Sequence, residues 1–157
     1  MNEFHGNASR AIDADPDTVF DLLTDVGRLC EWNTAIERVV DQPDTLAPGT
    51  EWTVQMHPPR MPSWGSASRV TELDRTHRRF AYETRNTDGN PSSVTWAWCV
   101  EPAATGGATV TVQWDCALRT FDRRHFAGPM RKRQLAREVP QSLVALAAAA
   151  TSTRSAS

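Results

Sequence analysis

Ser93–Thr120 reads SVTWAWCVEPAATGGATVTVQWDCALRT, two runs of alternating residues around a Gly-Gly pair. Val94, Trp96, Trp98 and Val100 share one phase of the first run, and Ser93, Thr95, Ala97, Cys99 and Glu101 take the other. In the second run Val110, Val112, Trp114, Cys116 and Leu118 fall in phase, against Thr109, Thr111, Gln113, Asp115 and Ala117. A period of two is the pattern of a half-buried antiparallel strand. Thr105-Gly106-Gly107 tolerates the positive φ that a short hairpin loop needs. Setting Ala104 opposite Ala108 pairs Val100 with Val112, Trp98 with Trp114 and Trp96 with Cys116. The hairpin then shows a wall of three indoles to whatever covers it.

Working outward, the chain before this hairpin alternates in the same way. Trp52, Val54 and Met56 share a phase in Glu51–Met56; Trp64, Ser66, Ser68 and Val70 share one in the run that starts at Trp64; Phe80 and Tyr82 share one in Arg79–Arg85. Pro48-Gly49, Asp74–Arg78 and Thr87–Pro91 read as turns, and His57–Pro62 with its three prolines as a stiff loop. Ile36–Val40 is a further strand, and Phe4–Ile12 a weaker first one. Between these two, Asp15-Pro16-Asp17 gives an Asp N-cap, Pro in the first turn and an acid after it. The helix that follows buries Val19, Phe20, Leu22 and Leu23 and ends near Asp25. Val26–Trp32 reads as a second short helix with Val26, Leu29 and Cys30 inward.

Beyond the hairpin, Phe126, Met130, Leu135, Val139, Leu143, Leu146 and Ala150 recur at helical spacing, so one long helix is expected from Gly128-Pro129 onward, kinked or broken at Pro140. Thr151–Ser157 reads as a small polar, disordered tail. The order is strand, two short helices, six strands, one long helix. That is an α+β architecture with an antiparallel sheet and its helices on one side.

The chain has 157 residues and a net charge of −2, which suits one domain and gives no overall drive towards nucleic acid or acidic membranes. No basic, apolar leader stands at the start, and Leu143–Ala150 is far shorter than the ~20 residues of a membrane span. The three cysteines, Cys30, Cys99 and Cys116, form no CxxC, and Cys99 and Cys116 fall on opposite strand faces. A cytoplasmic protein is the expectation. No Cys/His spacing suits a metal, no Gly-rich phosphate loop is present, and no cofactor is expected.

Six tryptophans against one tyrosine stand out. Trp52, Trp64, Trp96, Trp98 and Trp114 all take inward phases. They are either ordinary core or the wall of a pocket for a ring-containing ligand, and pockets are mostly apolar with a few polar anchors. Trp32 and Asn33, Val54 and Met56, Ser66 and Ser68, and Phe80 and Tyr82 complete the candidate lining from the sheet side. Phe126 and Met130 complete it from the helix. Tyr82, and His57 at the rim, are the candidate catalytic groups, and no inward carboxylate is apparent. Seven basic residues between Arg119 and Arg137 face a single acid, Asp122. They form either a solvated helix face or a patch that steers an anionic ligand, a membrane surface or an acyl-carrier protein.

Ile12–Asp25, Trp32-Asn33, Pro48-Gly49-Thr50, Val70–Leu73, Trp96 with Trp98, and Glu101-Pro102 before Gly106-Gly107 together resemble the START-like helix-grip (SRPBCC) superfamily, in its polyketide cyclase/dehydrase branch. The resemblance covers nearly the whole chain. It implies a seven-stranded antiparallel sheet curved around a long C-terminal helix, with two short helices after the first strand, as one START-like domain over residues 1–150. It also implies a hydrophobic small molecule, aromatic or polycyclic, bound in an internal cavity, with three roles open: a polyketide cyclase/dehydratase, a lipid or isoprenoid carrier or sensor, or an interaction module with a closed cavity. Aromatase/cyclases of this superfamily resemble one another in a Trp-x-Ser-x-Arg-like run whose arginine enters the cavity. Here Val70 takes that position and Arg69 lies in the opposite phase, which argues against aromatase chemistry of that type.

Overall fold

A computed structural model describes residues 3–89, 91–118 and 128–155. The elements are β1 (Glu3–Ile12), α1 (Pro16–Leu23), a 3-10 turn (Val26–Arg28), α2 (Leu29–Trp32), β2 (Ile36–Asp41), β3 (Glu51–Met56), β4 (Trp64–Asp74), β5 (Arg79–Asn86), β6 (Ser93–Pro102), β7 (Ala108–Ala117) and α3 (Gly128–Ser155). The seven strands form one antiparallel sheet in the order β1-β7-β6-β5-β4-β3-β2. This is the expected helix-grip, α+β arrangement.

Local chemistry sets the first helix. The Asp15 carboxylate accepts from the Asp17 and Thr18 amides at 3.0 and 3.3 Å, and Pro16 opens the first turn. Thr24 closes the helix by donating its hydroxyl to the Phe20 carbonyl at 2.9 Å. Arg78, on the β4–β5 turn, reaches Asp17 at 3.0 Å and ties α1 to the sheet. The next turn departs from expectation. Val26–Arg28 is 3-10 rather than α-helical, and Cys30 is exposed. The inward residue at the end of this segment is Trp32, 2% exposed.

The last hairpin keeps the expected faces and shifts the register by two. Trp98 pairs with Val112, Trp96 with Trp114 and Val94 with Cys116. The cause is the loop. Ala103 donates to the Gly107 carbonyl and Gly106 to the Ala103 carbonyl, both at 3.1 Å, so the turn closes between Ala103 and Gly107. Gly106 and Gly107 have φ of 92° and 77°. At Gly107 a Cβ would also lie 2.6 Å from the Ile12 carbonyl oxygen, so the loop presses on the end of β1. A shift of two leaves every side chain on its original face, which is why Trp98, Val100, Val110, Val112, Trp114 and Cys116 are buried as their phases predict. Gln113 and Asp115 are exposed on the other face.

The helix α3 runs through Pro140 as one element and continues to Ser155, past the point where a disordered tail was expected from residue 151. Pro140 is exposed, so the carbonyl it leaves without a donor is on the water side. The Thr151 hydroxyl donates back to the Ala147 carbonyl at 2.9 Å, and the alanine run before it is a strong helix former. Leu135, Val139, Leu143, Leu146 and Ala150 are buried, as the spacing required. The helix makes its main backbone contacts with β1, α1 and α2, not with the middle strands of the sheet.

Candidate functional site

The inward face of the middle strands is a continuous aromatic surface. Trp52 meets Tyr82 edge-on with centroids 4.9 Å apart and stacks on Phe80 at 6.0 Å. Tyr82 lies 5.1 Å from Phe80 and 6.5 Å from Trp96, and Trp96 lies 6.0 Å from Trp114. Behind Trp98 stands Trp32 of α2, edge-on at 5.5 Å. These spacings are the preferred ones for aromatic pairs. Trp114 reaches across to β1, where Gly6 is its strand partner; a Cβ on Gly6 would fall 2.3 Å from the indole. The glycine leaves the ring room to lie flat over the neighbouring strand.

The rings are not equally covered. Trp52, Trp98 and Trp114 are 3%, 4% and 7% exposed, whereas Trp64, Tyr82 and Trp96 keep part of their surface open although they share the inward phase. Tyr82 is surrounded by the fold and still keeps part of its surface open. Its oxygen accepts the Trp98 indole N–H at 3.1 Å. Burial pushes the phenol well above its ordinary pKa; the Trp98 hydrogen bond opposes this and the Glu138 charge adds to it.

The buried side of α3 carries a polar row. Gln134, Glu138 and Ser142 are 9%, 9% and 4% exposed, one turn apart on the same face, beside Leu135, Val139 and Leu143. Among the described residues Gln134 Nε2, Glu138 Oε2 and Ser142 Oγ have no hydrogen-bond partner, and neither has Trp32 Nε1. Each such atom costs about 1–3 kcal/mol. Arg131 donates to Gln134 Oε1 and lies 3.8 Å from Glu138 Oε2, beyond hydrogen-bond reach. Its guanidinium sits 5.3 Å from the centroid of the Trp64 ring. Burial raises the Glu138 pKa, and Arg131 offsets that only in part. Burial likewise pushes the Cys116 thiol up to about 12, with Arg131 again opposing.

The sheet gathers most of the expected lining on one face: Trp52, Val54, Met56, Ser66, Ser68, Phe80, Tyr82, Trp96, Trp98 and Trp114, with Trp64 at its edge and Trp32 behind. Ser68 shares a 2.8 Å hydrogen bond with Thr84. Four expectations change. Asn33 spends its side-chain oxygen on the Ala35 amide at 3.1 Å, so it shapes the entry to β2. Met130 is 60% exposed; the first turn of α3 points it to water, and the helix lines the interior from Gln134 onward. His57 is exposed in the β3–β4 loop, 3.9 Å from Glu37, and off the aromatic face. An inward carboxylate does exist, at Glu138. Its signal was present in the sequence as polar residues at i, i+4 and i+8 alongside the apolar stripe. Phe126, together with Arg119, Asp122, Arg123, Arg124 and His125, lies outside the described residues. Lys132, Arg133 and Arg137 are exposed on the outer face of α3.

A separate surface cleft of about 560 Å³ lies between α1, the 3-10 turn and the β2–β3 loop, lined by Asp21, Asp25, Gln42, Asp44 and Arg75 among others. Its polar walls do not match the aromatic face. Among the described residues no group of His, Cys, Asp and Glu is placed to hold a metal ion. None of the described helices is long and apolar enough to cross a membrane.

The fold is similar to that of the Zhui aromatase/cyclase from Streptomyces sp. R1128, with a TM-score of 0.78 and 18% identity over 95% of this chain and 94% of that one. It is similar to protein CV1439 from Chromobacterium violaceum, with a TM-score of 0.71 and 20% identity over 93% and 96%. Ara h 8.0201 also shares it, with a TM-score of 0.70 and 14% identity over 96% and 99%. No curated protein is close enough in sequence to match. At such identities the structural likenesses establish the fold alone. The sequence itself carries the family: residues 3–151 match the model of polyketide cyclase/dehydrase and lipid transport proteins, and the chain belongs to that family.

Proposed function

We propose that the chain binds a hydrophobic, ring-containing small molecule between the aromatic face of the sheet and α3. One observation carries this reading. Trp64, Tyr82 and Trp96 face the helix side of the sheet and still keep open surface, while α3 rests mainly on β1, α1 and α2. Rings that served only as core would be covered, since interiors pack as densely as organic crystals. A flat apolar ligand laid against these rings gains burial and stacking on surfaces already fixed by their neighbours.

Titration of the protein with a panel of polycyclic phenols, sterols and fatty acids tests the reading, followed by tryptophan emission and melting temperature. A bound ring compound quenches several indoles and raises the melting temperature. Trp96→Ala weakens that binding by more than about 1 kcal/mol, as loss of an aromatic anchor does. A panel that moves neither signal refutes the pocket and leaves the interaction-module reading.

A second reading adds chemistry, and Tyr82 with Glu138 favours it. Burial disfavours the charged form of both, and they stand on opposite layers of the fold. Among the described residues nothing accepts the Tyr82 hydroxyl proton. In their protonated forms a phenol and a carboxylic acid polarise ligand carbonyls by hydrogen bonding, and a cyclisation or dehydration would then depend mainly on how the chain of the substrate is folded against the rings. An acyl-carrier protein would be the natural donor of such a substrate. Turnover of a poly-β-ketone supports the catalytic reading; its return unchanged supports a carrier.

A further inference from the structure

We propose that Gln134, Glu138 and Ser142 form the polar edge of the ligand site, and that this edge selects an uncharged ring compound carrying hydroxyl or keto oxygens along one side. The inference rests on the ring-binding reading above and adds to it which ring compounds are preferred.

Three observations support it. Among the described residues four buried side-chain polar atoms have no partner, and three of them belong to this single helix face. Native folds leave few such atoms, so their concentration in one row calls for an occupant. Second, the row is linked to the aromatic surface through Glu138, and through Arg131, which is bonded to Gln134 and lies over the Trp64 ring. Glu138 is close enough to Tyr82 for its charge to act on the phenol, although the two stand on opposite layers. Third, Arg131 orients the row. By donating to Gln134 Oε1 it fixes the amide with Nε2 turned away, so Gln134 offers an N–H. Arg131 is a positioning residue here, held in turn over the Trp64 ring.

The row then presents an amide N–H, a carboxyl and a hydroxyl, about 6 Å apart along the helix axis. A bare hydrocarbon would bury all three without satisfying any. A fatty-acid carboxylate would be placed against the Glu138 oxygens. A ring system with neutral oxygens on the edge that faces α3, and apolar faces towards the indoles, satisfies both walls.

The test compares naphthalene, 2,7-dihydroxynaphthalene and 2,6-dihydroxynaphthalene by isothermal titration calorimetry at pH 7. The 2,7-isomer has both oxygens on one edge, and the 2,6-isomer has them on opposite edges. The expected order is 2,7 tighter than 2,6 and tighter than naphthalene by about tenfold, which corresponds to about 1.4 kcal/mol. In the triple variant Gln134→Leu, Glu138→Leu, Ser142→Ala the preference falls below about twofold, while naphthalene binds no more weakly. If the triple variant does not fold, Glu138→Gln and Ser142→Ala, each on its own, must reduce the 2,7 preference. The inference is overturned if wild-type protein binds naphthalene and both diols alike, or if the preference survives in the variants. Failure of all three compounds to bind wild-type protein would instead overturn the ring-binding reading beneath it.

Discussion

Glu138 should make this protein less stable as the pH rises above the ordinary carboxylate range. The residue is 9% exposed, its Oε2 has no hydrogen bond among the described residues, and Arg131 at 3.8 Å is too far to provide one. Burial therefore holds the folded-state pKa above the unfolded one. Between those two values the folded chain binds more protons than the unfolded chain, so stability is full below the ordinary carboxylate pKa and is lost as pH rises through the raised one. Each unit of that rise is worth about 1.4 kcal/mol at high pH. Glu138→Gln keeps the shape and removes the ionisation. At pH 8 the variant should be more stable than wild type by about 1–2 kcal/mol, which for a chain of this size is about 3–6 °C in Tm. At pH 4, where the wild-type carboxyl is neutral, the two melting curves should coincide. Thermal unfolding followed by circular dichroism from pH 4 to pH 8 measures this directly. A difference that does not change with pH, or a variant less stable at pH 8, would show that the Arg131 ion pair outweighs desolvation, and the reasoning would fail.

Gly107→Ala should lower stability by more than about 2 kcal/mol in urea unfolding, since alanine at φ 77° is strained and its Cβ meets the Ile12 carbonyl. Asp15→Ala should cost about 1 kcal/mol in the same assay, the usual loss for an N-cap carboxylate that accepts two amides. His57→Ala should leave the unfolding midpoint within about 0.5 kcal/mol, because the ring is exposed and 3.9 Å from its nearest acid. A larger loss there would place His57 in a contact that the structure does not contain.

The hairpin succession of the last six strands and the inward faces were legible because period two is unambiguous when tryptophans mark one phase. Trp52, Trp96, Trp98 and Trp114 each declared its side from alternation alone. The register of the last hairpin was not legible, since Gly106-Gly107 allows loops of more than one length and a shift of two changes no face. The face of α3 was legible only in its apolar half. Gln134, Glu138 and Ser142 have the same spacing as Leu135, Val139 and Leu143, one residue earlier, and polar residues at the border of an apolar stripe read as solvent-facing. They are buried because the helix stands over a second layer wide enough to cover its flank, a tertiary fact that periodicity does not encode. Met130 failed for the converse reason: its spacing fits the stripe, and the first turn of the helix leaves it uncovered.

The pairing of β1 with β7 sets Glu3 opposite Ala117 and Ile12 opposite Ala108, while every other neighbouring pair of strands is consecutive in sequence. The strands from β2 to β7 can therefore zip up as successive hairpins with short loops to close, and β1 has the whole of that meander to wait for before its partner exists. On the ribosome β1 emerges well before β7, the strand it pairs with. Until the two pair, the outer edge of β7 is an open row of amides and carbonyls next to Trp114, the kind of edge that pairs with another chain. α3 rests on β1 as well as on α1 and α2, so its full seat on the sheet exists only once that edge is closed.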